Sequence, residues 1–154
     1  MLAPAVLFWQ VVLAVHIAAV VITFGVMFTF PVIYLFAAKL DPRGMSWYYR
    51  MRVLIGQRLI SPGLLLVLVA GIYLASHLHQ WSRFYVQWGL AVVVVIGAIG
   101  GAFLTPREKK LAELADRDVG GAEYQALARR VVLVDSLLLV LILITIYLMT
   151  INGF

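Results

Sequence analysis

The stretch APAVLFWQVVLAVHIAAVVITFGVMFTFPVIYLFAA, residues 3–38, contains no Asp, Glu, Lys or Arg. About 20 apolar residues suffice for a helix to cross the hydrocarbon of a bilayer. This stretch is longer than that, so a helix built from it must tilt, kink at Pro31 or protrude from the membrane. It is also far longer than the roughly 7–15-residue core of a signal peptide, and no basic segment precedes it. It reads as a first transmembrane helix over about residues 5–36.

The rest of the chain repeats the pattern. Of its 154 residues, 64% are hydrophobic and 12% charged, and the mean hydropathy is +1.04. Soluble domains carry about 25% charged residues, and a soluble chain of this size has too little interior to hide so much apolar surface. Lipid can cover it. Further spans are expected at about residues 59–77, 83–104 and 131–151. The fold class is therefore all-α: a single-domain bundle of four transmembrane helices with amphipathic helical segments between them. The net charge of +5 does not point to nucleic acid, because the basic residues sit between apolar spans. No cysteine is present, which excludes disulfides, thiolate metal sites and cysteine nucleophiles.

The polar segments carry their own signals. Asp41-Pro42-Arg43-Gly44 is a turn. Ser46 to Gln57 reads as a helix with an apolar face of Trp47, Tyr48, Met51, Leu54 and Ile55, lying along the interface or leading directly into the second span. Ser61-Pro62 resembles an N-cap with proline at the first helical position, or else a kink in a helix begun earlier. Thr105-Pro106-Arg107-Glu108 reads as a capping box opening a charged amphipathic helix to about Arg117. Gly120-Gly121 breaks that helix, and a final one begins near Glu123. Gly97 and Gly101 form a GxxxG pair, read as a packing seam ahead of a cofactor groove. Tyr73, Trp81, Tyr85 and Trp88 form an aromatic belt around the loop after the second span.

Basic residues set the orientation. Lys39, Arg43, Arg50, Arg52 and Arg58 lie in the first loop, and Arg107, Lys109, Lys110, Arg117, Arg129 and Arg130 in the third; of the 12 Lys and Arg residues only Arg83 lies in the middle loop. The positive-inside rule makes loops 39–58 and 105–130 cytoplasmic and both termini non-cytoplasmic, in a multi-pass protein of the inner (plasma) membrane.

Ionisable residues within the spans call for a reason, because charge in hydrocarbon is costly. His16 lies about nine residues into the first helix, roughly 13 Å along its axis. Neutral imidazole is a good axial ligand for haem iron, and an equally good structural hydrogen-bonding group. Met27 is roughly 16 Å further on and cannot share an iron with His16; His77, Met149 or an unusual group remain as a second ligand, and a five-coordinate haem is the alternative. Asp135 lies about one turn inside the last span with no basic residue at i−3 or i−4. Arg58 is its expected partner, in an ion pair that docks the second and fourth spans. His77 and His79 are spaced for weak metal binding or for a solvated loop. Arg83 beside them is a candidate contact for a haem propionate.

Several strings together resemble a known group: Val15-His16-Ile17, then Arg58-Leu59-Ile60-Ser61-Pro62-Gly63, Leu64-Leu65-Leu66, Gly71-Ile72-Tyr73-Leu74, Trp81 and Trp88, and a last span from Val134-Asp135 to Ile146-Tyr147-Leu148-Met149. The chain resembles a family of uncharacterised bacterial four-helix membrane proteins. That family is similar to haem-associated membrane protoporphyrinogen oxidases and to the membrane domain of copper-resistance D-type proteins. The resemblance implies haem b on His16, in membrane redox or tetrapyrrole chemistry on a porphyrinogen or quinol. Gln87 stands where those oxidases carry a lysine, and Ala102-Phe103-Leu104 where they tend to have Tyr-His. Two other functions stay open. One is a non-catalytic subunit or scaffold that assembles with a membrane-protein partner or with its own copies. The other is a small metal or solute transporter.

Overall fold

A computed structural model describes residues 7–152, and among these there is no strand. Helix α1 runs from Phe8 to Leu40 and passes through Pro31. A 3-10 turn, Pro42–Gly44, leads into α2, Met45–Ile55. One π-helical turn, Gly56–Ile60, joins α2 to α3, Ser61–His77. After the loop come α4, Phe84–Ala98, a second π turn, Ile99–Leu104, and α5, Thr105–Arg117. Helix α6 runs from Ala122 to Asn152. Four continuous helical units are therefore long and apolar enough to cross a bilayer: Phe8–Leu40, Pro42–His77, Phe84–Arg117 and Ala122–Ile151. The protein is an integral, multi-pass membrane protein with an all-α four-helix bundle.

The second unit holds 36 residues, about 54 Å at 1.5 Å per residue. Hydrocarbon is only about 30 Å thick. The surplus of the second and third units, α2 and α5, packs as a pair at one end of the bundle, with α2 also against α1 and α5 against α6. We call this the basic end. In the bundle α1 packs on α3, α3 on α4 and α4 on α6, and the α1–α6 seam is the loosest.

The two π turns share one cause. Proline has no N–H for the carbonyl four residues back, and its ring clashes with that carbonyl. Widening the helix by one residue relieves the clash. Before Pro62 the Ser61 N–H reaches Gly56 O, and the Ser61 hydroxyl donates to the same carbonyl at 2.9 Å. Before Pro106 the Thr105 N–H reaches Gly100 O, and the Thr105 hydroxyl donates to it at 2.9 Å. The pattern Gly-x-x-x-x-(Ser/Thr)-Pro thus occurs twice with the same geometry. Neither hydroxyl residue caps a helix. Ser61-Pro62 marks a distortion in a helix begun earlier, and the expected capping box at Thr105 does not form, because the helix before it continues through it.

Helix α2 also faces differently from its sequence reading. Met45, Tyr48, Tyr49 and Arg52, spaced i, i+3, i+4, i+7, are buried together with Ser46, whereas Trp47 and Leu54 are exposed. Tyr48 stacks edge-on with Tyr49, and Tyr49 with Tyr124.

The helix seams are built on glycine and hydroxyl residues. A Cβ at Gly63 would collide with the Thr23 side chain of α1, and one at Gly89 would meet only the mobile Cε of Met149 on α6. On that second seam the Trp88 indole N–H donates to Thr145 Oγ1 at 3.0 Å. Thr145→Val keeps the volume and removes the acceptor. The expected loss is about 1 kcal/mol, read as a lower midpoint in reversible unfolding in mixed micelles; an unchanged midpoint would show that the indole finds another acceptor.

Candidate functional site: a charged crevice at the basic end

The i, i+7 position that ends the buried face of α2 is an arginine. The Arg52 side chain is only 6% exposed. Its Nη1 and Nη2 grip both oxygens of Asp135 on α6, at 2.6 and 3.0 Å. Nη2 also meets Glu108 Oε1 of α5 at 2.7 Å, and Nη1 donates to the Tyr48 hydroxyl at 3.4 Å. That hydroxyl donates to the Phe30 carbonyl of α1 at 3.0 Å, and the guanidinium lies 4.5 Å from the Phe30 ring centre. One side chain therefore ties together α1, α2, α5 and α6. The planar fork of arginine suits this two-pronged grip as lysine would not. The cluster holds one cation and two carboxylates. Burial pushes the Glu108 carboxyl up from its ordinary range, while Arg52 opposes the shift.

This corrects the expected Arg58–Asp135 pair. The partner of Asp135 is Arg52. Arg58 falls on the π turn and is exposed. Two features hid the true pairing. Arg52 lies outside the apolar span, on a helix whose buried face its apolar spacing does not give, and Glu108 stands where a capping residue would.

A crevice of about 70 Å3 opens above this cluster. Its apolar walls include Met27, Phe30, Leu64, Ile96 and Leu138, and Arg52, Glu108 and Asp135 line its polar end. Gly56, Gly97, Gly100 and Gly101 also line it, and a Cβ added at any of these four would meet nothing within 4 Å. The GxxxG pair at Gly97 and Gly101 is therefore not a seam between helices of this bundle. It leaves room, and both glycines are exposed toward the lipid side. Within the cluster, Arg52 Nε is buried and finds no hydrogen-bond partner among the described residues.

The other candidate residues lie elsewhere. His16 faces the α1–α3 seam: its Cε1 and Nδ1 sit 3.3 and 3.8 Å from where a Cβ on Gly71 would be. Its Nδ1 is buried without a partner among the described residues. His77 stacks on Tyr73 with ring centres 5.7 Å apart. His79 is exposed in the loop with a φ of 55°. Arg83 is exposed at the start of α4. The described residues hold no group of three His, Cys, Asp or Glu placed for a metal. Met27 and Met149 do not share a path: the first lines the crevice, the second fills the gap at Gly89.

No family model matches the chain, and neither a curated protein nor a solved structure matches it.

Proposed function

We propose that this chain is a bacterial inner-membrane protein, its basic end in the cytoplasm, that holds a membrane-soluble ligand in the glycine-lined crevice. One observation carries the proposal: four glycines face open space directly over a buried, partly unsatisfied charged cluster. Evolved interiors are close-packed, and an unfilled groove ending in a buried polar group is the usual form of a small-molecule site. The loose α1–α6 seam and the exposed Gly97 and Gly101 offer lateral entry from lipid. Excess Lys and Arg at that end support the orientation.

The test is extraction and mass spectrometry of what the purified protein retains in mild detergent. Gly97→Leu fills the groove without touching a neighbour, and Val94→Leu serves as the control on the exposed side of α4. A non-detergent amphiphile retained by the wild type and the control, and lost from Gly97→Leu, is expected. The same extract from all three proteins would overturn the proposal. If Gly97→Leu instead breaks an oligomer or releases a protein partner, the exposed glycines dock a helix and the chain is an assembly subunit.

A second reading, haem b on His16 in membrane redox or tetrapyrrole chemistry, is supported by the unpartnered Nδ1. It requires α1 and α3 to part at Gly71. The purified protein reconstituted with haemin should then show a Soret band and a reduced α band that vanish in His16→Ala. A colourless protein would leave His16 as a packing residue against Gly71.

A further inference from the structure

We infer that Arg129 and Arg130 of α6 bind an anionic phospholipid of the leaflet at the basic end, its phosphate between the two guanidinium groups and an acyl chain along the exposed face of α6. The inference is independent of the crevice. It starts from which cations at this end are already matched. The four salt bridges among the described residues use only Arg50, Arg52 and Lys110. Arg107 is held on the carbonyl and ring of Phe103. Arg129 and Arg130 are exposed, and neither forms a salt bridge among the described residues. Neither has an acidic residue at i±3 or i±4, so their own helix offers them no partner.

The helix sets this pair over an apolar surface. Tyr124, Ala128, Val131, Leu138 and Ile142 are the buried face of α6. Leu133, Leu137, Val140 and Ile144 lie on the opposite face and are exposed. At about 100° per residue, Arg129 and Arg130 fall at the two edges of that exposed stripe, one turn before Leu133. Residues 131–151 then cover about 31 Å at 1.5 Å per residue, close to the thickness of hydrocarbon. The two arginines therefore stand at headgroup level, with their stems over the stripe and their charges in the phosphate layer. The occupant must match both parts. A soluble anion leaves the stripe uncovered. A zwitterionic lipid brings a cation of its own, which the pair repels. An anionic phospholipid covers the stripe and supplies the missing negative charge, and the planar fork of arginine suits its phosphate oxygens.

The experiment uses the full chain, delipidated in dodecyl maltoside and titrated with dioleoyl phosphatidylglycerol, dioleoyl phosphatidylcholine or glycerol 3-phosphate, with bound ligand counted by native mass spectrometry. Phosphatidylglycerol is expected to bind at least about tenfold more tightly than either of the others. Arg129→Gln with Arg130→Gln should weaken it about 25-fold, roughly fivefold for each cation at an anionic surface. Lys39→Gln with Arg43→Gln removes the same charge from the end of α1 and the turn after it, and should weaken it by less than about threefold. Arg129→Lys with Arg130→Lys keeps the charge and should lose less than the glutamine pair. Equal losses from the Arg129–Arg130 and Lys39–Arg43 glutamine pairs would overturn the inference, because a diffuse field and not this pair then holds the lipid. Phosphatidylcholine binding as tightly as phosphatidylglycerol would overturn it, and so would glycerol 3-phosphate doing so, since the stripe would then contribute nothing. A lysine pair as weak as the glutamine pair would overturn it as well, because charge is then not what binds. No lipid bound by the wild type, with an acidic protein held through Arg129 and Arg130 instead, would make this face a protein interface and overturn the lipid assignment.

Discussion

Arg52→Ala is expected to destabilise the protein by about 3–5 kcal/mol, the usual result of removing one partner from a buried ion cluster. The loss does not measure the strength of the salt bridge. It comes from Asp135 and Glu108, which would remain in a buried setting with no counter-charge, 15% and 7% exposed respectively. Arg58→Ala, by contrast, alters an exposed side chain on the π turn and should stay within about 0.5 kcal/mol of the wild type. Combining Arg52→Ala with Asp135→Ala should lose less than the sum of the single losses, because the two share one interaction. Replacing Arg52, Glu108 and Asp135 together by Met, Leu and Leu should recover much of the stability, since no charge is then left buried. Equilibrium unfolding in mixed micelles gives all of these values. Equal losses from Arg52→Ala and Arg58→Ala would show that the cluster is not the fastening of the basic end. A triple variant as unstable as Arg52→Ala would show that its charges do more than balance one another.

The contrast between the two arginines marks how far the sequence could be read. The four spans were legible because the absence of charge over residues 3–38 and its later counterparts is a long-range compositional signal. It survives without any knowledge of packing. The pairing of Asp135 was not legible in the same way. Choosing Arg52 over Arg58 needs the rotation of α2 about its axis, and that rotation passes through a π turn, which shifts every later residue by about 100° relative to a straight helix. The pair of Gly-x-x-x-x-(Ser/Thr)-Pro strings was visible in the sequence, at Gly56–Pro62 and Gly100–Pro106, and it was the signal that could have revealed both turns. The glycines show the same limit. In sequence Gly63, Gly71, Gly89 and Gly97 look alike, and GxxxG spacing favoured Gly97 and Gly101 as the packing pair. Only the placement of neighbouring helices shows that the first three are filled by Thr23, His16 and Met149 while the last is open. Around the middle loop the aromatic residues make local contacts: Trp81 donates to Ser76 Oγ at 3.2 Å and the Tyr85 hydroxyl to Gln80 at 2.6 Å.

Gly63→Ala and Gly97→Ala, the same chemical change at two glycines, should therefore move stability in opposite directions. In an open helical position alanine gains up to about 1 kcal/mol over glycine. Gly97 has such a position, so Gly97→Ala should leave the protein unchanged or slightly more stable. At Gly63 the new methyl would run into the hydroxyl and Cβ of Thr23. Thr23 is 1% exposed, and a β-branched side chain in a helix has little rotamer freedom with which to yield. The α1–α3 seam must then open, and overpacking of this kind destabilises by about 1–3 kcal/mol. The two variants should differ by about 1–3 kcal/mol, the overpacking cost alone, because the propensity gain applies at both helical positions and cancels. Thr23→Ala added to Gly63→Ala should restore most of the loss, because it removes the atoms that collide. Restoration tests the seam itself: an additive double variant would mean that α1 and α3 do not meet at this pair. If they do meet there, His16 is held against Gly71 two helical turns away on the same seam. The seam that a haem on His16 would need to open is then one that Thr23 and Gly63 hold shut.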